Sequence, residues 1–293
     1  MKNAEPLVSI SCITYNHAPY IRQCLDGFLM QQTNFAYEVL IHDDCSTDGT
    51  TEIIKEYETR YPDIVKPMYE VENQYQQGKP SGSAVWNFPR ARGKYMALCE
   101  GDDFWIDPLK LQKEVDVLEN DSNVMLVHTG FKTVDNAGNE ITRPFFDECM
   151  SKSKNGYVVD LLMRGNYILS LTTCFRLSAV NNPSCLFEYN GPKIDYYLFM
   201  KLALQGKVSY IPDITGAYRN NPNGMVATAK NMILNTFKEV YKLSFFNFID
   251  SELKFNYSIL CRFKIYCMAW YRAIKWFYSD NDKLFLKRLI KMF

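Results

Sequence analysis

Short apolar segments that end in polar turns recur three times before Trp105 in this chain of 293 residues. The pattern predicts strands from Leu7 to Thr14, from Glu38 to His42 and from Tyr95 to Cys99. Strands that alternate with helical patterns require crossover connections, which favour a mainly parallel sheet flanked by helices. Because such sheets bind ligands at the carboxyl ends of their strands, the three turns are where we expect the chemistry.

The composition excludes some classes of protein. With 47% hydrophobic residues the chain can bury a sizeable core, so it is not a disordered protein. Lys and Arg number 33, as do Asp and Glu, so the formal net charge is zero. No global field favours a polyanion, and we expect no nucleic-acid partner.

The cysteines and the hydropathy predict a cytoplasmic protein. Nine cysteines, an odd number without any Cys-x-x-Cys pair, lie mostly in apolar stretches, which is typical of reduced, buried thiols. The first six residues do not resemble a secretory signal. We also find no apolar stretch of the ~18 to 20 residues that would span a bilayer.

The turn after the second strand contains adjacent carboxylates. Asp43 and Asp44 follow a buried strand, where desolvation and mutual repulsion cost free energy unless a cation or hydrogen-bond donors compensate. Asp48 comes directly before the helix marked by Ile54 and Tyr57, and we predict that it caps that helix. Capping is also an alternative interpretation of Asp44.

The turn after the third strand is Glu100-Gly101-Asp102-Asp103. Adjacent acids at a strand end offer hard oxygen ligands that suit Mg²⁺ or Mn²⁺ shared with substrate phosphates. The alternative is a solvated acidic turn. The expected position of Asp44, at the end of a neighbouring strand of the same sheet, argues against that alternative.

The remaining pattern predicts further elements in less detail. We expect a long loop from Asn73 to Arg92, and a helix through Leu118 with Asp107-Pro108 as its N-cap and first turn. A strand is predicted from Val124 to Phe131, followed by irregular chain to about Asn155. An apolar segment from Tyr167 to Phe175 precedes a helix near Asp195 to Gln205, which Gly206 should end.

Several of these motifs, in this order, resemble those of the family 2 glycosyltransferases, which have the GT-A fold. They are Thr14-Tyr15-Asn16-His17, Asp43-Asp44-Cys45-Ser46-Thr47-Asp48-Gly49-Thr50, Cys99-Glu100-Gly101-Asp102-Asp103-Phe104-Trp105, Ile194-Asp195-Tyr196, Tyr210-Ile211-Pro212 and Tyr218-Arg219. The resemblance covers about residues 6–225. It implies an α/β GT-A fold, with a mainly parallel mixed sheet flanked by helices.

The resemblance also implies roles for individual residues. Those assigned to the nucleotide-sugar are Thr14, Tyr15, Asn16, Asp43, Asp44, Asp102 and Arg219. Asp102 and Asp103 correspond to the DxD-type motif of the family, which holds the metal. Asp195 corresponds to the general base, and Arg219 is a candidate to clamp the diphosphate.

Alternatives for these residues remain open. Asp195 could be a helix N-cap, and Arg219 could pair with a surface acid. The chain also departs from the family at two positions. Trp86 precedes Asn87 where the family often has Arg, and Ile194 replaces the usual Glu before Asp195.

The implied activity is metal-dependent, inverting transfer of a sugar from a nucleotide-diphosphate donor, expected to be UDP-linked, to a hydroxyl of a glycan or lipid-linked acceptor. The setting is bacterial surface polysaccharide biosynthesis. One alternative is a nucleotidyltransferase, which would carry a phosphate-binding loop rich in glycine and basic residues after the first strand. A second is a non-catalytic protein that binds nucleotide-sugars. The sequence indicates no oligomeric state.

The predicted organisation is a GT-A domain at residues 1–228, with a nucleotide-binding half at about 1–122 and an acceptor half at about 123–228. A helical C-terminal extension follows at residues 229–293. The C-terminal part of this extension is rich in basic and aromatic residues, which suits peripheral contact with the inner face of a membrane. Packing of the same helices on the catalytic domain is the equal alternative.

Overall fold

The computed structural model describes residues 5–79, 82–162, 166–180, 194–221 and 267. The strands in these ranges are β1 (Val8–Thr14), β2 (Tyr37–Asp43), β3 (Val65–Tyr69), β4 (Tyr95–Leu98), β5 (Phe104–Trp105), β6 (Val124–Val134), β7 (Thr173–Arg176) and β8 (Lys207–Arg219). The helices are α1 (Ile21–Leu29), α2 (Thr50–Arg60), α3 (Ser83–Trp86), α4 (Lys110–Asn120), α5 (Pro144–Lys152), α6 (Val159–Leu162) and α7 (Ile194–Gln205).

The strands form one mixed sheet in the order β3-β2-β1-β4-β7-β6-β8-β5. The first four strands in this order are parallel, as the alternation of strands and helices predicted. β7 runs antiparallel to both β4 and β6, and β8 runs parallel to β6. The sheet therefore carries the carboxyl ends of β1, β2 and β4 at one edge.

Helices cover both faces of the sheet, as alternate residues of β4 illustrate. Tyr95 and Ala97 belong to a core that includes residues of α1, α2 and α4. Met96 and Leu98 belong to a second core, which includes residues of α6 and α7. Burial on both faces explains why β4 is apolar along its whole length rather than alternating.

β3 was not predicted from the sequence, since it contains Lys66 and Pro67 in only five residues. β3 lies at the edge of the sheet, where a proline is tolerated because its position needs no ladder donor on the open side. It extends the parallel part of the sheet beside β2.

Two segments predicted to be irregular contain helices. The expected loop from Asn73 to Arg92 includes α3 and a 3₁₀ turn at Phe88–Arg90. The chain between β6 and about Asn155 includes α5, which begins at Pro144. Proline is tolerated at the first helical position because its missing N–H needs no partner there, so Pro144 can begin this helix.

The predicted start of α4 is also wrong. The helix begins at Lys110, after Asp107 and Pro108. The Asp107 carboxylate instead accepts a hydrogen bond from the Leu109 N–H over 2.9 Å, which forms a turn before the helix.

Other expectations concern the chain as a whole. The cysteines in the described ranges are free thiols, and most of them are buried. Among the described helices, none is both long and apolar enough to cross a membrane. The C-terminal extension at residues 229–293 lies outside the described residues, apart from Cys267, and the division into two halves stays a prediction.

Candidate active site

Three strand ends meet at the carboxyl edge of the sheet. Thr14 at the end of β1 is in register with Asp43 at the end of β2. On its other side β1 pairs with β4, which leads into residues 100–103, here called the acid loop. The Gly101 N–H donates to the Ile13 oxygen over 3.0 Å, which fixes the acid loop beside the end of β1.

The turn between β1 and α1 is fastened to the turn after β2. Asn16 has a positive φ of 54°, and its N–H donates to the Ser46 hydroxyl over 2.9 Å. Its side-chain oxygen accepts from the Thr47 N–H, also over 2.9 Å. Tyr15 remains 37% exposed, and its hydroxyl accepts from the Gln76 amide. The Tyr15 side chain is therefore accessible at this edge.

The acids after β2 are anchors for loops. The buried Asp43 carboxylate accepts from the Ser46 N–H over 3.2 Å and from the Thr51 hydroxyl over 2.5 Å. Asp44 is 5% exposed and accepts from the backbone N–H groups of Gln74 (2.7 Å) and Tyr75 (3.2 Å). These donors compensate the desolvation that the sequence indicated, and the predicted contacts with a nucleoside stay predictions.

The prediction that Asp48 is the N-cap of α2 is wrong by one position, because Gly49, with a positive φ of 101°, is the N-cap and Asp48 precedes it. The Asp48 carboxylate accepts from the Thr50 N–H over 3.1 Å. Its other oxygen accepts from the Ala18 N–H over 3.0 Å. One side chain thereby satisfies a free donor of α2 and holds the β1–α1 turn.

The two aspartates of the acid loop have different surroundings. The Asp103 carboxylate is 4% exposed and accepts from the Arg219 backbone N–H over 2.7 Å. The Asp102 side chain is 18% exposed, accepts from the Asn221 amide over 3.1 Å and lies 3.7 Å from His17 Nε2. Asp102 is thus the more accessible of the two to a ligand, and the assignment of Asp103 to a metal stays a prediction.

Glu100 was not among the candidate site residues predicted from the sequence. Burial, followed by the negative charges of Asp195 and then Asp102, raises the pKa of Glu100 to about 7. Asp195 lies in the first turn of α7 and is close enough to act on Glu100. The position of Glu100 directly after β4, two residues before Asp102, was the available signal.

Burial and neighbouring acids also act on Asp103. Burial raises the pKa of Asp103 well above its ordinary value, with contributions from Asp102 and Glu100. The acids at this edge therefore repel one another, and a cation would relieve the repulsion.

Gly101 allows a close approach within the site. A Cβ at this position would lie 2.6 Å from Thr14 Oγ1 and 3.0 Å from His17 Nδ1. Both of those atoms are buried and lack a hydrogen-bond partner in the described part of the protein. Orphaned polar atoms beside clustered acids are typical of a site that a ligand completes.

The donor set fits an ion that shares its ligands with a substrate. Within the described residues, no cluster of three or more His, Cys, Asp or Glu side chains could hold a metal alone. Mg²⁺ and similar ions are often held by one or two carboxylates together with substrate phosphates. Asp102 and the mutually repelling acids around it suit that arrangement.

Sequence comparison identifies the family and the relatives of this chain. The family profile described as Glycosyl transferase family 2 matches residues 9–177. An uncharacterized protein of Mycobacterium tuberculosis is 34% identical over 222 residues, which are 74% of this chain and 60% of the relative. The chain thus spans well under the full length of that relative.

Solved structures share the fold. The structure of Staphylococcus aureus TarS 1-349 in complex with UDP-GlcNAc has a TM-score of 0.63 at 19% identity, with 88% of this chain and 70% of that chain covered. TarS is described as a poly(ribitol-phosphate) beta-N-acetylglucosaminyltransferase and is 24% identical over 249 residues, 84% of this chain and 41% of TarS. A mannosyltransferase from Pyrobaculum calidifontis in complex with GDP-Man and Mn²⁺ has a TM-score of 0.54 at 15% identity, with 99% and 80% covered. The sheet and its helices are therefore a GT-A fold.

Proposed function

The chain belongs to glycosyltransferase family 2, and we propose that it transfers a sugar from a nucleotide-diphosphate donor, of the UDP-sugar class, to a hydroxyl acceptor. The observation that carries the proposal is the convergence of Glu100, Asp102 and Asp195 at the carboxyl edge of the sheet. Clustered acids there suit a cationic centre for the donor diphosphate and a base for the acceptor.

Asp195 is the proposed general base. It takes the proton of the acceptor hydroxyl while that oxygen attacks the anomeric carbon of the donor. The bond from the anomeric carbon to the diphosphate oxygen breaks, and the electron pair leaves with the nucleoside diphosphate. Attack from the face opposite the leaving group inverts the anomeric configuration.

A divalent ion, Mn²⁺ or Mg²⁺, completes the proposed site. Asp102 would hold it, with Asp103 as the second acid of the predicted pair and Glu100 beside them. When bound, the ion neutralises charge that develops on the leaving diphosphate. The Mn²⁺ in the GDP-Man complex of the Pyrobaculum protein supports a divalent ion in the proposed site.

The turns after β1 and β2 form the proposed nucleoside side of the site. Tyr15 offers an exposed ring, and Thr14 has a hydroxyl without a partner in the described part of the protein. Asn16, Asp43 and Asp44 hold the backbone around them. UDP-GlcNAc in the related TarS structure supports a UDP-linked donor.

The proposed acceptor is a glycan or a lipid-linked glycan of a bacterial surface polysaccharide. The support is the description of TarS as a transferase that acts on poly(ribitol-phosphate). Peripheral contact with the inner face of a membrane, through the C-terminal extension, would suit a lipid-linked acceptor.

An Asp195→Asn variant tests the proposal. A general base contributes about 10²–10⁴-fold to rate, so transfer should fall by that factor while nucleoside diphosphate affinity stays within about threefold. Asp213→Asn is the control, because Asp213 lies in the same half of the chain and pairs with Lys113. An unchanged rate in Asp195→Asn would remove the role of base, and diphosphate binding without turnover in the wild type would identify a non-catalytic binder.

A further inference from the structure

Arg219, the last residue of β8, is buried with only 4% of its surface exposed. Its Nε donates to the Asp102 backbone oxygen over 2.9 Å. Its Nη1 donates to the backbone oxygens of Asp135 (3.2 Å) and Asn136 (3.0 Å), and its Nη2 donates to Gln23 Oε1 over 2.7 Å. The guanidinium therefore joins the acid loop to α1 and to the turn after β6.

These contacts leave the guanidinium little capacity for a ligand. A guanidinium has five N–H groups, and four hydrogen bonds go to protein oxygens. Aromatic rings also contact it, with the Tyr20 centroid at 4.7 Å and the Phe104 centroid at 5.3 Å. Cation–π contacts of this kind hold the guanidinium in place as well as stabilise its charge.

The chain around Arg219 contacts both aspartates of the acid loop. The Arg219 backbone N–H donates to Asp103 Oδ1, and the Asn221 amide donates to Asp102 Oδ2. A substitution of Arg219 retains its backbone donor. It removes only the side-chain bond to the Asp102 oxygen and the bonds that fix the guanidinium. The side chain of Arg219 can therefore be tested apart from the Asp103 contact.

We propose that Arg219 is a positioning residue, whose guanidinium fixes the acid loop so that Asp102 keeps its orientation toward a divalent cation and a nucleoside diphosphate. This role rests on the proposed function and replaces the direct clamp on the diphosphate. Partners that orient metal-binding carboxylates typically change metal affinity or activity by about 10–100-fold when they are lost.

The experiment compares Arg219→Lys with Arg176→Lys. Arg176 at the end of β7 is a matched control, because its guanidinium donates to the oxygens of Val124, Asp121 and Leu118 and contacts the Tyr95 ring. It lies beside the start of β4, at the sheet edge opposite the acid loop. In both variants the ammonium cannot reproduce the fork of donors, so both should lose stability.

Two readouts separate a positioning role from a merely structural one. Hydrogen exchange of residues 99–105, measured on the ligand-free protein by mass spectrometry, should accelerate in Arg219→Lys and not in Arg176→Lys. Calorimetric titration with UDP in Mn²⁺ should show affinity about 10–100-fold weaker in Arg219→Lys and within about twofold of wild type in Arg176→Lys. Gln23→Ala, which removes one acceptor from an exposed position, should show a smaller change in the same direction.

Equal exchange and equal affinity in the two lysine variants would overturn the positioning role. If Arg219→Lys does not fold, hydrogen exchange and UDP affinity are measured on Gln23→Ala instead. Values equal to those of Arg176→Lys would then overturn the positioning role. If the wild type binds no nucleoside diphosphate but Arg219→Lys still accelerates exchange in the acid loop, the proposed function fails while the loop-fixing role stands.

Discussion

The indole of Trp86 stacks on the imidazole of His42, with ring centroids 4.7 Å apart and planes inclined by 8°. His42 lies near the end of β2, the strand that leads to Asp44. Its Nε2 is 3.3 Å from Glu70 Oε1. Burial lowers the pKa of His42. The chain therefore has an aromatic stack at a position where its family resemblance suggested an arginine.

Replacement of Trp86 should uncover His42. In Trp86→Ala the pKa of His42 should rise toward its ordinary value, because the burial that lowers it is lost. NMR titration of the His42 ring measures this directly. Trp86→Phe keeps an aromatic face and should shift the pKa less. Equal pKa values in wild type and Trp86→Ala would show that the stack does not set the environment of His42.

Substitution of Gly101 should damage the site through steric contact. A Cβ would lie 2.6 Å from Thr14 Oγ1, so Gly101→Ala should cost about 1–3 kcal/mol in the free energy of unfolding and weaken binding of a metal-bound diphosphate. Gly206→Ala is the control, since its Cβ would lie 2.4 Å from the Asn123 oxygen, away from the acid loop. Urea unfolding and UDP titration measure both effects. Unchanged UDP affinity in Gly101→Ala would contradict the tight packing of this loop in the site.

Glu100 should make stability fall as pH rises. Its pKa is about 7 in the folded protein, against an ordinary value of 4.5, so its stabilising contribution is present below pH 4.5 and lost as pH rises through 7. Glu100→Gln should therefore gain about 3 kcal/mol over wild type between pH 4.5 and 8. Urea unfolding of both proteins without metal at pH 4.5 and pH 8 measures the gain. A difference in unfolding free energy that does not change with pH would refute the buried environment assigned to Glu100.

His128 should have the opposite effect on the pH dependence. Burial lowers its pKa to about 3 from 6.5, with a smaller effect of the Lys110 charge. Its contribution is present above 6.5 and lost as pH falls toward 3, because the unfolded chain takes up the proton first. Between pH 7 and 5 wild type should lose about 2 kcal/mol more than His128→Asn, by urea unfolding. Parallel losses in the two proteins would exclude this role.

The sequence predicted those parts of the fold that rest on uninterrupted patterns. β1, β2 and β4 are apolar runs that end in polar turns, and α7 ends at Gln205 before Gly206 as expected. β3 was missed because Lys66 and Pro67 disturb a short, half-buried edge strand. α5 was not predicted, and it begins at Pro144 in a stretch that was expected to be irregular.

The sequence predicted which residues belong to the candidate site better than it predicted their contacts. Carboxylates at strand ends marked the site, and the structure brings Asp102 and Asp195 near Glu100. The partners of Arg219 were not foreseeable, because three of its acceptors are backbone oxygens from segments that are distant in the sequence. Sequence patterns identify side chains, whereas backbone acceptors depend on the path of the whole chain.

Binding of a nucleoside diphosphate is the central claim, and thermal unfolding with UDP, GDP, CMP and dTDP, each with and without Mn²⁺, tests it most directly. A ligand that binds only the native state raises the unfolding temperature by mass action. We predict a rise that requires Mn²⁺ and is largest for UDP. The absence of any rise, with every nucleotide and with the metal present, would contradict the account.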